Sequence, residues 1–176
     1  PRPVDAVRIE PVGWQAHRAG VDTLLRSFRE VPAGKRVRLA KKTSNLFRGR
    51  SENQVGLDVS GLGGVIEVDP LARTADVQGM CTYEDLVDAT LAHGLMPFVV
   101  PQLKTITLGG AVTGMGVEST SFRNGLPHES VLEMDILTGS GEILTASRTE
   151  HGSSGNVVAT ATARAAVSAA SARSDR

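Results

Sequence analysis

Between Pro101 and Gly125 the chain concentrates residue types from which a ligand cradle is made. Five glycines fall there (Gly109, Gly110, Gly114, Gly116 and Gly125), interleaved with Thr105, Thr107, Thr113, Ser119, Thr120 and Ser121. Glycine has no Cβ and tolerates φ > 0, so main-chain N–H groups can close on a ligand that larger side chains would hold away. Successive N–H groups aimed into one concavity bind anions, and hydroxyls add rotatable donors. A molecule with a diphosphate and a flat polar ring would use both. A loop that merely turns the chain is the plainer reading of the same glycines; the density of hydroxyls favours the cradle. Two familiar phosphate motifs are excluded. No Gly-Lys-Ser/Thr closes the stretch, as a P-loop requires, and Ser119 stands where the dinucleotide fingerprint opened by Gly114-Met115-Gly116 has its third glycine. The other cluster, Gly61-Leu62-Gly63-Gly64, precedes a strand-like run instead of following one.

The elements that must position this stretch alternate between helix and strand. Val21, Leu24, Leu25 and Phe28 follow the i, i+3, i+4, i+7 rule, predicting a helix from His17 to Glu30 that ends near Pro32 and Gly34. Arg36 to Ala40 alternates basic and apolar residues, a half-buried strand, and the polar run Lys41-Lys42-Thr43-Ser44-Asn45 follows it. Lys41, Lys42 and Arg48 can supply charge-assisted bonds to phosphate; a solvated basic turn is the alternative. Val55–Ser60, Val65–Asp69 and Thr74–Gln78 are predicted strands. Thr82 with Asp85 three residues on is a capping-box variant opening a helix whose buried face is Leu86, Val87, Thr90 and Leu91, with Gly94 closing it. A short strand from Leu95 to Val100 leads into the glycine-rich core. Val131–Leu137 and Glu142–Thr145 form a last hairpin across Gly139-Ser140-Gly141. The pattern is α+β with mixed sheets.

The chain has 176 residues, 40% hydrophobic and 22% charged with no net charge, enough for one globular domain with a core. Neutrality gives no general pull toward nucleic acid or anionic membranes, and one Trp and one Tyr are few for base stacking. The four histidines are scattered and Cys81 stands alone, so no metal site and no internal disulfide are expected. A lone cysteine and no apolar run long enough to span a bilayer suit a cytoplasmic protein, a membrane-associated full-length protein being left open.

Ile106-Thr107-Leu108-Gly109-Gly110-Ala111-Val112-Thr113-Gly114-Met115-Gly116-Val117-Glu118-Ser119-Thr120-Ser121, with Gly125 after it, resembles the FAD-binding (PCMH-type) core of the vanillyl-alcohol oxidase/p-cresol methylhydroxylase superfamily. More narrowly it is similar to the 24-dehydrocholesterol reductase (delta(24)-sterol reductase) branch. The Gly-Gly pair, the Gly-x-Gly and the Glu-Ser all fall at the family's spacing, and the likeness runs from roughly Val37 to Ala146. It implies an FAD-binding domain over residues 17–149, preceded by an irregular segment 1–16. That domain would comprise two small subdomains of about 17–100 and 101–149, the second incomplete. It implies that Lys41, Lys42, Thr43, Ser44 and Asn45 grip the diphosphate. Pro101, Thr107, Leu108, Gly109, Gly110, Thr113, Gly114, Gly116, Glu118 and Ser119 would line the cofactor and its ring. Lys41 to Arg50 has no histidine to tether the flavin, so FAD is expected to be non-covalent. The implied activity passes hydride through FAD to a C=C bond, with NADPH left open as electron donor and catalytic residues unassigned. The alternative is a truncated, catalytically silent flavin-binding remnant; an unrelated α+β module is a third reading. Glu118 is expected to order its loop more than to move protons. His128 is expected at a surface turn. Cys81, slightly acidified at a helix start, is expected to be inert.

After Thr149 the composition shifts to Ala, Ser, Thr, Gly and Arg, with no Leu, Ile, Met, Phe, Tyr or Trp from His151 to Arg176. Such a stretch offers little apolar surface against its ordering entropy. The expectation for 150–176 is a disordered or frameshifted tail, with the final strand that the resemblance calls for lost.

Overall fold

The first helix, α1 (Gly13–Arg29), begins four residues before the predicted start, at a glycine with φ of 75°. The computed structural model describes residues 9–41, 53–147 and 157–170. Along α1 the buried positions His17, Gly20 and Leu24 keep helical spacing, and Val21, Leu25 and Phe28 pack beside Leu24. Strands β1 (Arg36–Leu39) and β2 (Gln54–Leu57) form a parallel pair. Strands β3 (Val65–Asp69) and β4 (Thr74–Gln78) form an antiparallel pair with the predicted boundaries. Helix α2 (Tyr83–Leu91) opens on Thr82 as predicted: the Asp85 amide donates to Thr82 Oγ1 at 3.2 Å and Thr82 Oγ1 donates to Asp85 Oδ2 at 2.7 Å. Its inward face is Tyr83, Leu86, Ala89 and Thr90; Leu91, expected inside, is 45% exposed. Next come β5 (Leu95–Pro97), shorter than predicted, then α3 (Leu108–Gly114), α4 (Ser121–Asn124) and a 3-10 turn over Pro127–Ser130. The predicted final hairpin is β6 (Val131–Thr138) and β7 (Ile143–Ser147), turned through Gly141 at φ 86°.

The disorder expected for the tail does not extend over 157–169. These residues form β8 (Val157–Ala169), the inner strand of the larger sheet, whose order is β3-β4-β8-β6-β7 with β5 also paired to β8. Neighbours on both edges satisfy the backbone of β8: Thr162–Ala166 pair with β4 and Val157–Ala165 with β6. Alanine's helical preference is a weak prior that such pairing overrides. One face of the strand is buried through Ala159, Ala161, Ala163, Ala165 and Val167, and the other is buried at Thr160 and Thr162 but exposed at Arg164. Its small side chains fit backbone that comes very close. A Cβ on Gly79 would lie 2.0 Å from the Thr160 carbonyl oxygen, and one on Gly109 would lie 3.3 Å from Thr160 Cβ. Low apolar bulk here reflects a tight fit.

Two clusters make the core. One joins α2 and α3 to Val65, Ala75, Val77 and Ala163; the other joins α1 and Leu57 to Leu62, Leu137 and Ala159. The boundary expected near residue 100 does not separate two sheets, because β3 and β4 precede it and β6–β8 follow it within one sheet. The fold class is α+β with mixed sheets, as the sequence predicts. No helix among the described residues is long and apolar enough to cross a membrane.

Candidate cofactor site

The glycine-rich stretch begins as a helix. Thr107, extended at ψ 152°, caps α3, and its Oγ1 accepts the Gly110 amide at 3.2 Å. The three leading amides of the helix are taken up inside the protein: Leu108 N donates to the Cys81 carbonyl (2.9 Å), Gly109 N to the Gly79 carbonyl (2.9 Å) and Gly110 N to Thr107. Within the expected cradle, the amides of Leu108, Gly109 and Gly110 are therefore already taken. Gly109 is a glycine because α3 sits directly on the chain leaving β4: a Cβ there would lie 2.7 Å from the Gly79 oxygen. Gly79 itself, unremarked in the sequence, is the seat; its one visible signal is its place just ahead of the capping Thr82.

Beyond the helix the surface opens. Met115 closes α3 in the left-handed region (φ 47°, ψ 40°), a conformation that turns the chain sharply. The amides of Gly116, Val117, Ser119 and Thr120 meet no acceptor among the described residues. A Cβ on Gly114 would meet nothing within 4 Å, and one on Gly116 only Glu118 Oε1 at 3.6 Å. Beside these amides Met115, Val117 and Phe122 are 63%, 79% and 90% exposed. Free main-chain donors next to uncovered apolar surface suit a ligand that is polar at its edge and apolar on its face. The residues present therefore fit a flavin.

Glu118 has the geometry of a loop-ordering group. Its Oε2 accepts the Gln102 amide at 3.1 Å and its own amide donates to Ser121 Oγ at 2.9 Å, tying the two ends of the stretch together. Asn124, not singled out in the sequence, fastens the far end by donating from Nδ2 to the Phe98 carbonyl at 2.6 Å. Pro101 is buried at the entrance, and Thr113 donates its hydroxyl back to the Gly109 carbonyl at 2.8 Å. His128 lies in the 3-10 turn with its Nδ1 buried and without a partner among the described residues. Cys81 is fully buried, and desolvation, then the Asp85 charge, pushes its thiol up to about 12. The slight acidification expected at a helix start is reversed. Burial first, then Glu118, raises the Tyr83 phenol above its ordinary value.

One contact joins this stretch to the basic loop after β1. Lys41 Nζ donates to Thr107 Oγ1 at 3.0 Å across 66 positions of sequence. Lys42, Thr43, Ser44, Asn45 and Arg48 lie outside the described residues.

Lys41 thus stands at the start of α3 and the open main-chain strip beyond its end. Residues 18–147 match the family described as FAD binding domain, and the chain belongs to that family. It is 38% identical over 77 residues to cytokinin dehydrogenase 7 of Oryza sativa subsp. japonica, covering 44% of this chain and 15% of that protein. Cytokinin dehydrogenase 3 of the same plant is 29% identical over 135 residues, covering 73% and 26%. The fold is shared with 6-hydroxy-D-nicotine oxidase from Arthrobacter nicotinovorans, with a TM-score of 0.65 at 18% identity, over 82% of this chain and 34% of that one. The chain thus spans about a quarter or less of these dehydrogenases and about a third of the oxidase.

Proposed function

We propose that this chain is the non-covalent FAD-holding portion of a flavin-dependent oxidoreductase whose substrate is bound by residues other than these. The observation that carries the reading is the contact of Lys41, first residue of the predicted diphosphate loop, with Thr107 of the glycine-rich stretch, within a domain of the FAD-binding family. A bound flavin supplies two-electron transfer between donor and acceptor. The chain's own part is to hold and orient it. Lys41 and Thr107 would lie toward the phosphates, the amides of Gly116, Val117, Ser119 and Thr120 would serve the ring edge, and Glu118 keeps that strip in place.

The finer reading is a reductase of the delta(24)-sterol type, drawing on NADPH and saturating a C=C bond. It is supported by the run Lys41-Lys42-Thr43-Ser44-Asn45 and by Glu118-Ser119-Thr120-Ser121, both of which follow that branch's pattern. A second reading, substrate dehydrogenation, is favoured by the cytokinin dehydrogenases among the relatives. Bleaching of the flavin band near about 450 nm by NADPH in the longer protein supports the first; bleaching by a cytokinin with NADPH inert supports the second.

The test of the site is Gly114→Val. The added side chain meets open space, so the melting temperature is expected to stay within about 3 °C of the unaltered chain, while FAD retention is lost. Full flavin occupancy in this variant would remove the strip from the cofactor site. Gly109→Val cannot serve, because its clash with the Gly79 oxygen disturbs the fold itself.

A further inference from the structure

Four asparagines occur in the chain, and one of them, Asn124, precedes a glycine. The fold makes a separate demand at each of these two positions. Gly125 ends α4 at φ 77°, a conformation that side chains resist, and a Cβ there would lie 2.6 Å from Glu129 Oε2. Asn124 is the fastening at the far end of the strip, its Nδ2 donating to the Phe98 carbonyl at 2.6 Å. Together the two demands create a reactive pair. A glycine nitrogen reaches the carbonyl carbon of a preceding asparagine side chain readily, because no Cβ crowds its approach. In the closed state both groups are held: the Gly125 amide donates to the Ser121 carbonyl at 2.9 Å, and the Asn124 side chain is pinned on Phe98. What holds them is slight. Helix α4 has four residues, none of them buried, and Thr120 at its start gives it no side-chain cap, the hydroxyl going to the Phe98 carbonyl at 3.3 Å instead. A segment with so little burial opens far more cheaply than the sheet beside it.

We propose that Asn124 is a deamidation site, exposed to reaction by local opening of α4 and not by unfolding of the whole chain. The step needs water and nothing else. The Gly125 nitrogen gives up its proton to solvent and bonds to Asn124 Cγ, and the side-chain nitrogen leaves as ammonia. Water then adds to either carbonyl of the cyclic imide and opens it, to aspartate or to isoaspartate. Both products replace the Nδ2 donor by a carboxylate, so an acceptor comes to face the Phe98 carbonyl and the fastening turns into repulsion. Isoaspartate also routes the main chain through the side-chain carbon, which takes the Gly125 amide away from Ser121. The far end of the open strip is thereby unfastened, and loss of ammonia makes the change one-way. This modification site goes beyond the cofactor reading and does not depend on it.

The test ages the purified chain in mildly alkaline buffer beside a free peptide with the sequence of residues 119–129, and follows Asn124 in both by mass spectrometry. Exchange of the amide nitrogen for oxygen is expected at Asn124, with isoaspartate identified by carboxyl-methyltransferase labelling. The folded chain is expected to react about ten- to one-hundredfold more slowly than the peptide, the protection that two hydrogen bonds provide. Equal rates would overturn the proposal, because the bonds of α4 would then hold nothing back. Slowing beyond that range, toward the about thousandfold or more that the whole fold provides, would overturn it as well, because α4 would then not open by itself. Asn124→Asp reports the consequence by hydrogen exchange. The amides of Arg123 and Gly125 are expected to exchange about tenfold faster than in the parent, while those of β4 and β8 keep their protection. Parent-like protection of Arg123 and Gly125 in this variant would overturn the claim that the reaction unfastens the strip, and so would loss of protection throughout the sheet.

Discussion

Thr82 and Thr107 cap neighbouring helices, face each other through an isolated β-bridge and hold nearly the same extended backbone (ψ 155° and 152°). Their surroundings diverge at one position, three residues on. Asp85 closes the cap of α2 from within, donating its amide and receiving the hydroxyl hydrogen. At α3 that position is Gly110; Lys41, from the chain after β1, donates to the oxygen, and the hydroxyl hydrogen has no acceptor among the described residues. A cap that serves stability alone carries its closure in its own sequence, as Thr82-x-x-Asp85 does. The cap of α3 is completed from outside the helix instead, by Lys41 from the chain after β1.

The largest expected effect strikes both caps at once. The turn from Gln78 to Cys81 seats α2 and, through the carbonyls of Gly79 and Cys81, receives the leading amides of α3. Gly79→Ala puts a Cβ 2.0 Å from the Thr160 oxygen, a clash with backbone that no rotamer relieves. A loss of about 3 kcal/mol or more is expected, visible as a collapse of the thermal melt. A melt within 1 °C of the parent would mean that β8 is not seated against this turn.

Next comes the closed cap. Thr82→Ala removes an amide acceptor and a hydroxyl–carboxylate bond together, for an expected loss of about 1–2 kcal/mol in chemical denaturation. FAD affinity per folded molecule stays unchanged, because neither group faces the open strip. A drop in that affinity would show that the two caps are not functionally distinct.

A smaller effect, and a sharper test, is to make α3 resemble α2. Gly110→Asp supplies a carboxylate where Thr107 has none. Replacing glycine in a first helical turn, adding an acid near the helix start and closing the cap together are expected to gain about 0.5–1 kcal/mol. The added Cβ stands 3.0 Å from Thr107 Oγ1, so the gain requires that oxygen to give by a few tenths of an ångström. The variant should melt higher than the parent; an unchanged or lower melt would show that a carboxylate at 110 does not close the Thr107 cap.

Much of this architecture was legible in advance, and the reasons are local. Strands β3 and β4 and the Thr82 cap were readable because their alternation and their capping pair lie within a few residues of one another. Strand β8 was not, since nothing in Ala-Thr-Ala-Thr-Ala announces two strand edges and a pair of glycines waiting for small side chains. The glycine-rich stretch was readable as special but not in its parts. Gly109 and Gly114 look alike in sequence, yet one is pressed on a carbonyl and the other is open. Telling them apart needs Gly79, thirty positions upstream, and the pairing of Thr107 with Lys41 lies further still.

The smallest effect vanishes at neutral pH and comes from the opposite face of the seat. Gln78, one residue before Gly79, accepts the Gly64 amide at 2.7 Å and donates to the Gly61 carbonyl at 3.0 Å, with its Nε2 3.4 Å from His17 Nδ1. His17 is 6% exposed, and desolvation holds its imidazole below the ordinary 6.5; Arg18 adds to this, while Asp135 and Asp76 oppose it. A histidine whose folded value is depressed is neutral in the fold and takes up its proton more readily when unfolded. Stability is therefore full above about 6.5 and falls as the pH drops below it, until the folded value is passed. Denaturation at about pH 7.5 and about pH 5.5 is expected to show this loss in the parent and a shallower one in His17→Gln, which cannot titrate. The turn seats both helices, so acid should weaken α2 and α3 together. Hydrogen exchange that reports α3 opening first under acid would show that its seat depends on Lys41 and Thr107 more than on Gln78.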